Sequence, residues 1–241
     1  MWGREVNGLV LTFHLAGINN QNFLMRDEQT GTFWQQISGR AISGPFAGQS
    51  LKLIPSDELT LALWKAEQPD GSVLKDVAAD ASGYSPKDWD VKMRKLPTVI
   101  SFAEHGLGNR DIMLGVNAFG ESRAWRYQQV IDEKLIEDRV GSEPAILLVG
   151  PDNQSVRVFR DTLSGSNSAS DIPHEFFRTP DGGMIDSTTG SHWNFKGCAV
   201  EGKLTGTCLE RIEAIRDFWF DWRNYHPATT VYKGPGKKAG G

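Results

Sequence analysis

The sequence predicts an α+β fold, β-rich, in which two homologous hairpin–strand–helix–strand halves pack as one pseudo-symmetric body. Three observations predict it. A spaced motif occurs twice, glycine is abundant at 26 residues of 241, and short alternating apolar runs are bounded by turn residues. Internal repeats govern the whole reading of a fold, so the motif comes first. It reads Asp27, Thr30, Gly31 and Trp34, then Gly39, Ala41, Gly44, Gly48 and Leu51. It returns with the same spacing within each block as Asp186, Thr189, Gly190 and Trp193, then Gly197, Ala199, Gly202, Gly206 and Leu209. The register carries on past the motif. Trp64 and Pro69 follow Leu51 at the intervals at which Trp222 and Pro227 follow Leu209.

Each element has a local cause. Asp opens a turn by bonding to the backbone ahead of it, and Gly closes the turn with φ > 0. Asp27–Gly31 and Asp186–Gly190 therefore read as hairpin turns. Leu51-Lys-Leu-Ile54 alternates as a strand. Ser56 reads as the N-cap of a helix with Leu59, Leu63 and Ala66 on one face, ended by Pro69. Ile215, Phe218, Trp219 and Trp222 give the second half a heavier apolar face. Between the halves, Ile112–Val116 and Ser122–Trp125 form a hairpin, and Tyr127–Lys134 a short helix. Leu135–Val140, Ala145–Val149 and Ser155–Phe159 read as strands. The organisation expected is a first half over 1–75, a linker over 76–111, strands plus the second half over 112–232, and a flexible tail over 233–241.

Composition excludes several classes. Apolar residues at 39% and charged residues at 23% suit a packed globular chain. The net charge of −4, with no clustered Lys/Arg stretch, gives no nucleic-acid footprint. The longest apolar run, Ala145–Val149, is far short of a membrane helix, so no transmembrane segment is expected. Met1-Trp2-Gly3-Arg4-Glu5 lacks the basic and apolar regions of a signal peptide.

The residues shared by both copies read first as scaffold. Asp27, Thr30, Asp186 and Thr189 fit turn chemistry, and Trp34 and Trp193 fit an aromatic core. The functional alternative is a ligand cleft in which the two tryptophans stack on a flat small molecule or sugar. Residues that differ between copies are the better candidates for chemistry. His192 replaces Phe33, Cys198 replaces Arg40 and Cys208 replaces Ser50. Cys198 and Cys208 lie symmetrically about Lys203. They form a candidate disulfide across a hairpin, with two ordinary buried thiols as the alternative. A His192–Cys198 nucleophile pair is a second candidate. The spacing of His192, Cys198 and Cys208 matches no closed structural zinc pattern, so no metal and no cofactor is expected. His14 reads as a half-buried strand histidine, and His226 as a cation at a helix end. The glycine-rich stretch His105–Gly108 lacks the Lys-Ser/Thr of a phosphate cradle.

The duplicated motif, with Leu114-Gly-Val116, Glu121-Ser-Arg-Ala124 and Val140-Gly-Ser-Glu-Pro144, resembles a bacterial family of unknown function, domain-of-unknown-function family 3179. The resemblance spans roughly Val6 to Tyr232. It implies an extracytoplasmic home, periplasmic or secreted, and either an N-terminus cut short or a chain that starts late relative to the family. The biochemical function stays open. The leading expectation is a non-catalytic binding module for a small molecule, glycan or protein. The alternatives are a Cys/His-dependent or metal-dependent enzyme using the second copy, and a structural component.

Overall fold

The computed structural model describes residues 1–20, 22–102, 104, 106–163 and 175–234. Glycine turns and short alternating runs produce short strands. Two of them, β1 (Glu5–Val6) and β2 (Leu9–Val10), pair across Asn7-Gly8. β3 (Phe13–Asn19), β4 (Asn22–Asp27), β5 (Phe33–Gln35) and β6 (Ala41–Ser43) form an antiparallel meander. The helices α1 (Leu61–Glu67) and α2 (Trp89–Met93) follow. The middle of the chain gives β7 (Ile112–Ala118), β8 (Glu121–Arg126), α3 (Tyr127–Glu133), β9 (Leu135–Val140), β10 (Glu143–Val149) and β11 (Val156–Arg160). A second meander comprises β12 (Phe176–Arg178), β13 (Met184–Asp186), β14 (His192–Trp193) and β15 (Ala199–Glu201). The chain then returns through β16 (Glu210–Ile212), β17 (Ile215–Phe218), α4 (Trp219–Tyr225) and β18 (Thr230–Val231).

The returning strands complete two central sheets, ordered β16-β11-β10-β9 and β17-β7-β8-β18. β18 joins β8 in parallel, and the other central pairings are antiparallel. The all-apolar run of β10 has a simple cause: both faces of its sheet are covered. Ala145, Leu147 and Val149 meet Leu114, Val116 and Trp125 of the other central sheet. Ile146 and Leu148 point the opposite way, onto Phe176, Met184 and Trp193 of the second meander. The far side of β7–β8 is closed by Trp219 and Trp222 of α4. The first meander keeps a smaller core of its own, with Trp34, Ala41 and Leu51 packed under Val6 and Leu11.

Several local expectations change. Leu51–Ile54 is not a strand, since only Leu53 pairs, in an isolated bridge with Trp2, and Ile215 and Phe218, expected on the helix face, lie on β17 ahead of α4. The helix of the first half starts at Leu61, not after Ser56, and Thr60 is its N-cap, with Oγ1 accepting from the Leu63 N–H at 3.3 Å. Ser56 is drawn away by Glu213, to which its backbone N–H and its hydroxyl both donate at 3.1 Å. Within 76–111, Ala78–Gly83 form a 3-10 turn, and Phe102 and Leu107 pack into the α4 cluster, so the end of this stretch belongs to the core. The tail expected over 233–241 lies outside the described residues from position 235 onward.

Candidate functional site

The motif residues build two buried turn supports. Trp34 Nε1 donates to Asp27 Oδ2 at 2.9 Å, and Trp193 Nε1 donates to Asp186 Oδ2 at 3.0 Å. The Thr30 and Thr189 hydroxyls donate to the same carboxylates, at 2.9 and 2.7 Å. Phe13 meets Trp34 edge-on at 6.0 Å, as Phe176 meets Trp193 at 6.2 Å. Gly44 and Gly202 have φ of 105° and 93°, and a Cβ on either would lie 2.7 Å from the backbone of Thr32 or Ser191. Both indoles are fully buried, so neither ring face is open for stacking. Burial would raise both aspartates, but the indole N–H and the Thr backbone and hydroxyl outweigh it and hold them below the usual carboxylate range.

Cys198 and Cys208 face each other in an antiparallel bridge and are joined, with Sγ–Sγ 2.01 Å and Cα–Cα 4.0 Å. Arg40 and Ser50 make the matching bridge in the first meander. His192 is half-buried, and its Nε2 lies 3.3 Å from both Thr179 Oγ1 and Asp181 Oδ2. With Cys198 in a disulfide, the His192–Cys198 pair has no thiol to activate. Among the described residues, no three His, Cys, Asp or Glu side chains gather as a metal site. His14 is exposed rather than half-buried, because its side of β3 is uncovered. His226 is the C-cap of α4; its ring lies tilted against Trp222 with centroids 3.9 Å apart, and burial lowers its pKa. His105 lies outside the described residues.

The most distinctive concave surface is one that no motif announces. A cleft of about 580 Å³ is lined by Arg94, Arg110, Arg126 and Arg216, with Tyr127 and Gln128. Asp111 is the one carboxylate among its described lining residues. Each arginine comes from a different element: Arg94 just beyond α2, Arg110 before β7, Arg126 at the end of β8, and Arg216 on β17. A neighbouring lobe of about 340 Å³ shares Arg94, Ile112 and Arg216 and adds Trp89, Phe218 and the carboxylate of Asp217.

Most of these guanidinium groups are anchored. Arg110 donates to the carbonyls of Leu96 and Pro97 and lies over the rings of Phe218 and Phe220, 5.0 and 4.8 Å from their centres. Arg126 donates to Gly106 O at 2.7 Å and stands 3.9 Å from Asp111. Arg216 pairs with Glu58 and lies over Tyr127. Arg94 is exposed and has no ion-pair partner among the described residues. Planar guanidinium donors fixed at their stems match the oxygens of a carboxylate or phosphate. Sequence reading missed this set because the four positions are scattered over the chain, and no local signal marks them.

Asp217, in the neighbouring lobe, and Asp221 flank the start of α4. Burial, then the charge of Asp221, push Asp217 up to about 7. Burial also raises Asp221, opposed by a hydrogen bond from Asn22 and by the charge of Arg110.

The fold and cleft define a β-rich protein with a cationic surface pocket. The family model for proteins of unknown function DUF3179 matches residues 1–229, and the chain belongs to that family. Nothing among curated proteins or solved structures matches it. Among the described residues, no helix is long and apolar enough to cross a membrane.

Proposed function

We propose that this chain is a binding module for a small anionic molecule, seated in the arginine-lined cleft. One observation carries the reading: four guanidinium groups from four separate parts of the chain converge on a cleft in which Asp111 is the one carboxylate among the described lining residues. Three are held by carbonyls, rings or a carboxylate, so little side-chain entropy is lost when an anion arrives. Carboxylates and phosphates fit this donor set, and Trp89 and Phe218 in the adjoining lobe offer an apolar surface to the remainder of such a ligand. The Cys/His enzyme alternative needs a free thiol at position 198, and the bond to Cys208 opposes it. The test is calorimetric titration with inorganic phosphate, citrate and a sugar phosphate at low and high salt. Saturable heat that weakens with salt and disappears in an Arg94→Ala/Arg216→Ala variant supports the reading. No heat from any of these anions ends it.

The same reading includes two features of origin and place. The two meanders descend from one duplicated unit, supported by their matched Trp–Asp bonds and matched glycine contacts. The protein works outside the cytoplasm, supported by the Cys198–Cys208 bond, because disulfides persist in oxidising compartments. Cell fractionation with an antibody to the native protein decides the second point.

A further inference from the structure

Asp217 and Asp221 stand where the other half carries leucines. α1 over Leu61–Glu67 and α4 over Trp219–Tyr225 correspond residue for residue, which sets Leu59 against Asp217 and Leu63 against Asp221. Leu59 and Leu63 pack on the cluster beneath the second meander. Asp221 instead meets the first meander: Asn22, at the start of β4, donates its Nδ2–H to Asp221 Oδ2 at 2.8 Å. Two positions that serve apolar packing in one half are therefore acidic in the other, at a contact with a polar hairpin.

The Asn22–Asp221 bond orients the amide, and three buried oxygens then have no partner: Asn22 Oδ1, Asp217 Oδ2 and Asp221 Oδ1. With both carboxyls ionised, all three are acceptors. Asp221 is only 6% exposed, so water does not wash over its unpaired oxygen. Buried acceptors left unpaired are costly, and more so when charged. Arg110, the guanidinium near Asp221, spends its N–H groups on Leu96 and Pro97 and stacks on Phe218 and Phe220, making no hydrogen bond to either aspartate. Tyr225 donates its hydroxyl to Asn19 O, on the same hairpin, at 3.0 Å. A single ion can satisfy several acceptors at once, which one hydrogen-bond donor cannot.

We propose that Asn22, Asp217 and Asp221 form a site for a hard divalent cation of calcium size, which ties the β3–β4 hairpin to α4. Amide and carboxylate oxygens are hard ligands. Calcium accepts such sets in irregular geometry, whereas magnesium demands a near-octahedral shell and keeps its waters. Asp217 also lines the lobe beside the arginine cleft, but the cation site does not rest on an anion being bound there.

The test uses the full chain, freed of cations with a chelator and titrated with calcium chloride by calorimetry and by thermal unfolding. The expected result is one binding event and a Tm that rises with calcium concentration, as mass action requires of a ligand that binds the folded state. Asp217→Asn and Asp221→Asn should each weaken binding by about tenfold or more, because carboxylate count sets calcium affinity. The double variant Asp217→Leu/Asp221→Leu carries the residues of the other half and should fold with no calcium response. Asn22→Ala, which removes one neutral ligand, gives an independent readout if that double variant does not fold. No heat and no Tm shift at about 10 mM calcium, well above the range of weak extracellular sites, overturns the proposal. So does a calcium response left unchanged in the variants. A gain in stability on acidification alone assigns a shared proton to the pair and overturns it as well.

Discussion

Trp193 donates its indole N–H to Asp186 at 3.0 Å in a site closed to solvent, where both residues are 0% exposed. The carboxylate opens the hairpin turn and the indole fills the core, so one bond links local turn geometry to tertiary packing. Trp193→Phe keeps most of the apolar volume and removes the donor. It should lower unfolding free energy by about 1–3 kcal/mol, because a buried acceptor loses a partner. Trp34→Phe, acting on Asp27, should cost a similar amount. Urea unfolding followed by tryptophan fluorescence measures both.

The same pair of carboxylates predicts the acid response. Both folded pKa values are depressed, so their contribution to stability is present above the unfolded value of about 3.9 and is lost as pH falls through the folded values. Urea midpoints should therefore hold near neutrality and drop below about pH 4. Asp186→Asn, which cannot titrate, should flatten part of that drop.

The Cys198–Cys208 bond closes a short loop on one edge of the second meander. Cys198→Ser/Cys208→Ser should reduce stability by about 2–3 kcal/mol, the loss expected when a small loop is no longer closed in the unfolded chain. The first meander manages the same turn without a bond, so the variant should still fold. Thiol titration of the denatured wild type should find no free thiol. Two free thiols would remove the bond and, with it, the argument for an oxidising compartment.

Arg94 lines the cleft and bonds to no described residue. Arg94→Ala should leave stability within about 0.5 kcal/mol of wild type. It should reduce phosphate or citrate affinity by roughly tenfold, the value of one charge-assisted hydrogen bond, and make binding less sensitive to salt. Equal affinity in wild type and variant would take Arg94 out of the site.

Gly115 lies under the ring of Trp222, where an added Cβ would sit 2.4 Å from the indole. Gly115→Ala should cost about 1–3 kcal/mol by overpacking the contact between β7 and α4. Differential scanning calorimetry would register the loss as a lower Tm. An unchanged Tm would mean that α4 shifts freely.

The two meanders were legible in the sequence because their signals are local. Asp, Thr and Gly at fixed intervals make a turn wherever they occur, and a tryptophan seven residues on is placed by strand geometry to reach back to that Asp. The strand Ala145–Val149 was legible for a similar reason: a five-residue apolar run needs both faces covered. The start of α1 was not, because Thr60 wins over Ser56 only once Glu213, far along the chain, has bound Ser56. The exposure of His14 and the contact of His226 with Trp222 were likewise decided by which faces neighbouring elements cover.

The sequence by itself determined the two Asp–Gly turns, the β-rich character and the possibility of a bond between the two cysteines, all set by spacing within a few residues. Only the tertiary structure decided the arginine cleft and the meeting of Asn22 with Asp221. Arg94, Arg110, Arg126 and Arg216 become neighbours because β17 returns to pair with β7, and Asn22 reaches Asp221 because the first hairpin docks on α4. Long-range pairing brings those charges together, and no periodicity in a single stretch of chain encodes it.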